Sequence, residues 1–184
     1  MEFKKIQLNG FKSFAEKTNF LIEDGLTGIV GPNGCGKSNI VESLRWVMGE
    51  TSAKSMRGSG MEDVIFSGTS NKASKNIAEV SIEVENKDKE GPIQYRELEQ
   101  IQVRRKIEKD KGSKFYINDK EVRARDAQMF FADLSTGAHS PSMISQGRIG
   151  ALVTAKPTDR RAILEEAAGI SGLHVRRHEA ELRL

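Results

Sequence analysis

A chain that carries Gly31-Pro-Asn-Gly-Cys-Gly-Lys37-Ser38 between a strand pattern and a helix pattern has few folds open to it. The run fits G-x-x-x-x-G-K-[ST] at every fixed position. Ahead of it, Leu26 to Val30 is a short apolar run that follows an Asp24-Gly25 turn and predicts a strand. Behind it, Ile40, Val41, Leu44, Val47 and Met48 recur at helical spacing over Ser38 to Met48, and Gly49 ends the pattern. Glycines open φ values closed to other residues, so the N–H groups from Asn33 through Gly34, Cys35, Gly36 and Lys37 to Ser38 can converge on one phosphate at a helix N-terminus. Lys37 is then expected to bridge the β and γ phosphates of a bound nucleotide, with the Ser38 hydroxyl on Mg²⁺. Pro32 and Asn39 flank this cradle and complete the expected nucleotide-binding set.

The remaining pattern predicts a mixed α/β chain. Phe3 to Leu8 and Thr18 to Ile22 predict strands, and Ala78 to Val84 alternates apolar and polar residues as a half-buried strand does. Gln100 to Glu108 and Lys114 to Ile117 extend the series, with Asn118-Asp119 as a tight turn into Lys120 to Val122. Arg125 to Leu134 reads as a helix, residues 135 to 142 as a connector, and Thr158 as the cap of a helix running to Ala168. From Leu173 to Leu184 the chain is helical in pattern and dense in charge.

With 29 Lys plus Arg against 26 Asp plus Glu in 184 residues, the net charge of +3 permits a polyanionic partner without requiring one. The single Cys35 cannot form an internal disulfide, Met1 to Leu8 lacks the apolar core of a secretory signal, and no run approaches the roughly 18 apolar residues that span a bilayer. A soluble chain in a reducing compartment, without a membrane partner, is expected. Cys35 has no histidine near it in sequence, since His139, His174 and His178 are all distant, which disfavours a catalytic thiol.

Several ordered motifs make the phosphate loop more specific. GPNGCGKSNIVESLRWVMGE, preceded by GFKSF, followed by SAKSMRG and MEDVIFSG, and then by SQG at 145 to 147 and AKPTDRRAILEEAAGIS at 155 to 171, resembles the amino-terminal half of the ATPase head of a bacterial structural maintenance of chromosomes (SMC) protein. The resemblance covers nearly the whole chain and implies an ABC-type P-loop lobe: an antiparallel β subdomain, a P-loop helix, and carboxyl-terminal helices leading to a coiled coil. It implies residues 1 to 168 as the half-head and 169 to 184 as the root of the coiled coil. It implies Gln146 as the Q-loop glutamine touching Mg²⁺ and the attacking water, and Arg57 as the arginine that approaches the phosphates. Lys12 and Ser13 would line the nucleotide, with Asp63 near the base side. By itself Gln146 is an ordinary loop glutamine, and Arg57 an ordinary surface arginine.

The same resemblance implies ATP hydrolysis coupled to chromosome condensation and segregation in the complete protein. Its partners would be the carboxyl-terminal half of the same head, a second SMC head in a homodimer, kleisin-type and accessory subunits, and double-stranded DNA bound without sequence preference. A cytoplasmic, nucleoid-associated location follows from it. Hydrolysis needs an apolar strand ending in Asp-Glu, and the sequence holds only imitations. Met129 to Leu134 places Leu after Asp133, Ile163 to Glu166 lies in a helical pattern, and Leu134-Ser-Thr-Gly137 echoes the ABC signature on the wrong side of Gln146. The chain alone is therefore expected to bind ATP without hydrolysing it. Arg104, Arg105 and Lys106, followed by Lys109, Lys111, Lys114, Lys120, Arg123 and Arg125, form a basic stretch that is either a solvated sheet face or a nonspecific DNA contact. The competing readings are an ATP-gated dimerisation and DNA-binding module, a DNA-repair ABC ATPase of related architecture, a self-contained P-loop kinase or GTPase, and a transporter subunit. The last two lack, respectively, a second acidic Mg²⁺ ligand and a signature motif with the Asp-Glu strand.

Overall fold

The computed structural model describes residues 1–87, 89, 92–134, 143–144, 150, 153–168 and 181. Six strands form one antiparallel sheet: β1 (Glu2–Asn9), β2 (Thr18–Leu21), β3 (Ile77–Glu85), β4 (Gln100–Glu108), β5 (Gly112–Ile117) and β6 (Lys120–Val122), in the order β2-β1-β3-β4-β5-β6. Among the described residues the α-helices are α1 (Lys37–Val47), α2 (Ala124–Asp133) and α3 (Pro157–Ala167). The expected mixed α/β lobe with an antiparallel subdomain is what forms.

Period-two alternation places one face of each strand inward. Ala78, Val80, Ile82 and Val84 of β3 and Ile101, Val103 and Ile107 of β4 are buried, and α1 packs across both strands. Trp46 of α1 is fully buried against Phe11, with ring centroids 5.4 Å apart, while Phe130 and Phe131 of α2 close the β5 end of the core. Between β5 and β6 the turn residues Asn118 and Asp119 both have positive φ, 46° and 62°, as a two-residue hairpin with this hand of twist demands. On the outer face, cation and carboxylate alternate across strands: Lys5 pairs with Glu83, Arg104 with Glu79 and Asp119, and Lys114 with Glu121.

Two expectations need correction. Leu26 to Val30 pairs with no strand among the described residues, and Leu26 and Val30 are almost wholly exposed. A strand needs a ladder, and this run joins neither of the sheet's outer edges, β2 or β6. The basic stretch is also divided by strand parity. Arg105 shares the inward face with Val103 and Ile107 and is 3% exposed, so it cannot be a solvated or DNA-facing cation.

Arg105 instead closes the carboxyl end of α1. Its Nη1 donates to the main-chain oxygens of Trp46 and Glu50, both at 2.7 Å, and its Nε donates to Ser113 Oγ at 2.7 Å. The guanidinium lies between the rings of Trp46 and Phe115, 4.5 and 4.6 Å from their centroids. A cation at a helix carboxyl terminus satisfies carbonyls that the helix cannot bond internally and opposes its dipole. Burial disfavours the charge and pulls the Arg105 guanidinium down to about 10, which the neighbouring Glu50 carboxylate partly opposes.

Candidate nucleotide site

The phosphate loop leads directly into α1, and Gly36 is the hinge between them. Its φ of +94° is one that side chains resist, and a Cβ there would come within 2.4 Å of Ser13 Oγ. Only glycine lets the loop lie against the GFKSF segment that follows β1. No side chain among the described residues caps the α1 N-terminus, and its first turn holds no acidic residue; Asn39 N donates to the Gly36 oxygen at 2.9 Å, and the helix dipole remains available to an anion. Residues 31 to 35 and Ser38 are exposed. Lys37 Nζ folds over the loop, donating to the main-chain oxygens of Gly31 and Pro32 at 2.7 and 2.6 Å.

Four of the other sequence-expected residues gather beside this loop. Asn39 Nδ2 donates to Ser13 Oγ at 2.9 Å, and Arg57 Nη2 donates to Asn39 Oδ1 at 3.1 Å. Arg57 Nε pairs with Glu42, and Lys12 Nζ pairs with the same carboxylate and with the Met56 oxygen. A cleft of about 290 Å³ opens here, lined by Ser38, Val41, Glu42, Arg45, Ser55, Arg57 and Ile144. Gln146 lies outside the described residues, but Ile144, two positions before it, is in the wall that faces Ser38 and Arg57. Asp63 does not join this group. Its Oδ2 accepts from Ser59 N, Ser59 Oγ and Gly60 N at 2.7 to 2.9 Å, pinning the loop that follows Arg57, and these bonds hold its carboxyl below the usual range.

Glu42 is the residue that sequence reasoning missed. It is 8% exposed and lies four positions before the buried Trp46, on the flank of the α1 apolar stripe, and that inward placement of a carboxylate was the available signal. The imitation motifs fall elsewhere. Asp133 ends α2 and lines a separate groove with Phe115 and Phe130, while Glu165 accepts from Arg161 one turn earlier on α3. Glu42 Oε1 and Oε2 are engaged by Arg57 and Lys12, which leaves it unsuited to take a proton from water.

A glycine-rich loop at a helix N-terminus, backed by an antiparallel sheet and flanked by a lysine, a serine and an arginine, defines a P-loop nucleotide-binding lobe of mixed α/β type. Residues 2–148 match the model of the RecF/RecN/SMC N terminal domain, and the chain belongs to that family. It is 57% identical over 184 residues to a chromosome partition protein Smc of Cereibacter sphaeroides and 54% identical to that of Rhodopseudomonas palustris. In both cases the whole of this chain aligns with 16% of the relative, so the chain spans about one sixth of their length. Among solved structures, the Smc head domain of Pyrococcus furiosus with an extended coiled coil, bound to the C-terminal domain of ScpA, matches with a TM-score of 0.84 at 30% identity, over 98% of this chain and 45% of that one.

Proposed function

We propose that the chain is the ATP-binding, amino-terminal half of an SMC head, which in the complete protein hydrolyses ATP to drive chromosome partition. The observation that carries this reading is that Ser38, Arg57 and Ile144 line one cleft beside the N-terminus of α1, with Asn39 accepting a hydrogen bond from Arg57 at its edge. Cys35, Gly36 and the other loop residues would hold the phosphates through main-chain N–H groups. Ser38 and Gln146 are the proposed ligands of Mg²⁺. Bound there, the metal would neutralise charge on the β and γ phosphates. Lys37 would turn from the Gly31 and Pro32 oxygens to the phosphates, and Arg57 would meet the γ phosphate from the opposite wall. Lys12 and Ser13 would border the nucleotide, with Asp63 setting the loop that carries Arg57.

The general base is missing from this set, which supports a division of labour: a second half of the head supplies the catalytic carboxylate, and a second head closes over the γ phosphate. Residues 1 to 168 would form the lobe and 169 to 184 the base of a coiled coil. Kleisin-type and accessory subunits and duplex DNA, bound without sequence preference in the nucleoid, are the proposed partners. The Pyrococcus relative's complex with ScpA supports the first of these.

Calorimetry on the completed head tests the site. Lys37→Ala should abolish measurable ATP–Mg²⁺ binding, because it removes the fixed cation for the β and γ phosphates. Gln146→Ala should bind ATP normally and turn over slowly. Unchanged affinity in the Lys37 variant would refute the assignment.

A further inference from the structure

Among the described residues, only six non-glycine residues have positive φ, and two of them direct their side chains onto one buried carboxylate. Lys12 (φ 46°) lies in the loop after β1, and Arg57 (φ 54°) follows the short 3₁₀ helix Lys54–Met56. Both pair with Glu42, which is 8% exposed and lies on α1 five positions after Lys37. Lys12 also donates to the Met56 oxygen, next to Arg57. Two loops in an uncommon backbone conformation are thus tied to the helix that carries the phosphate-binding lysine and serine. We propose that Glu42 is the positioning residue for Arg57, holding its guanidinium by the Nε edge so that the rest of the fork is presented to the γ phosphate.

The geometry separates presentation from mere packing. Arg57 uses Nε for Glu42 and Nη2 for Asn39, and Nη1 makes no hydrogen bond among the described residues. Its side chain is 58% exposed, against 11% for that of Glu42. The carboxylate is therefore largely buried and fixed at the cleft wall while the cation it orients is open to the cleft. A planar fork held along one edge keeps its remaining donors in a defined plane, which a lysine at position 57 could not do. The inference rests on the proposed role of Arg57 at the phosphates.

The test uses the full-length protein, with turnover and ATP affinity measured separately. Glu42→Gln keeps the shape and removes the charge. It should lower kcat about tenfold, as expected for one charge-assisted contact weakened in the transition state. ATP affinity, set by the phosphate loop, should change less than about threefold. On an Arg57→Ala background, Glu42→Gln should have almost no further effect, because the two act as a unit. If Glu42→Gln does not fold, Glu42→Asp, which keeps the charge on a shorter arm, is carried through the same comparison and should show a smaller loss of kcat. Multiplying effects, or normal turnover of the Glu42 variant while Arg57→Ala is slow, would overturn the inference and leave the proposed function standing. Full turnover of Arg57→Ala would instead remove the premise, failing the reading of Arg57 itself.

Discussion

Replacing Arg105 by Met isolates the closure of α1 from the packing around it. Methionine fills much of the same slot between Trp46 and Phe115 but offers no donor to the Trp46 and Glu50 oxygens. Each hydrogen bond from a charged donor contributes roughly 1.5–3 kcal/mol net of desolvation, so the three at 2.7 Å would sum to about 5–9 kcal/mol if they were independent. They share one guanidinium, buried at a cost that pulls it down to about 10, and so are less than additive. The expected destabilisation is about 3–5 kcal/mol, the range for breaking one side of a buried charged contact. For a chain of this size each kcal/mol lowers Tm by roughly 2–4 °C, so a drop on the order of 10 °C is expected. Trp46 is the sole tryptophan and lies against the guanidinium, so its fluorescence in a dilute urea titration reports the transition. Arg104→Met is the control. Its half-exposed pairs with Glu79 and Asp119 should contribute less than about 1 kcal/mol. If Arg105→Met unfolds within about 0.5 kcal/mol of the parent, the desolvation cost cancels the hydrogen bonds and Arg105 is not what holds the end of α1.

The hydrogen bonds from Ser59 and Gly60 lower the Asp63 carboxyl, so the stabilisation of that loop is full above the ordinary value of 3.8 and is lost as pH falls through the depressed one; the Gly60 amide resonance should titrate with a midpoint below 3.8. A midpoint at or above that value would mean the loop is not held by the ionised acid. Duplex DNA bound through the outer face should show log K falling with log salt, and Lys106→Gln with Lys114→Gln should reduce the slope by about 1.8 if both meet phosphates. An unchanged slope would move the DNA contact off this face. Mixed with its cognate carboxyl-terminal half, the chain should gain ATP turnover that rises more than linearly with concentration, whereas rapid hydrolysis by residues 1 to 184 alone would make Asp133 or Glu165 a catalytic acid after all.

Local periodicity made most of the fold legible. The strict alternation of Ala78 to Val84 specifies β3, and the apolar stripe from Ile40 to Met48 specifies α1, because each element has one face to bury. The glycine-rich loop ahead of α1 was legible for a different reason: its glycines take positive φ at Gly34 and Gly36, a local demand visible in the sequence, although the close approach of Gly36 to Ser13 is a tertiary one. The misreadings concern partners. Whether Leu26 to Val30 becomes a strand depends on a neighbouring ladder that its own residues do not encode. Arg105 was grouped with Arg104 and Lys106 by charge, although parity with Val103 and Ile107 already turned it inward. Glu42 was lost because a carboxylate in a helix reads as solvated until two cations from separate loops are brought to it.

These corrections meet on α1. The helix has 11 residues and is about 16 Å long. The phosphate loop lies at its start, Glu42 with Lys12 and Arg57 lies in its second turn, and Arg105 closes its end. If a short helix fixed at three points moves as a rigid body, a nucleotide drawn to its first turn would also set the angle of Arg57 and load the contact with β4. The apolar run leading into the loop is the exception to this rigidity, since Leu26, Ile29 and Val30 are exposed rather than packed. Anchoring that run requires apolar surface and a strand edge that it does not engage here, and a second half-head would supply both. Docking of that half would then stiffen the entry to the phosphate loop while α1 stiffens its exit. On this argument nucleotide affinity should itself rise when the halves join, even before a second head is present.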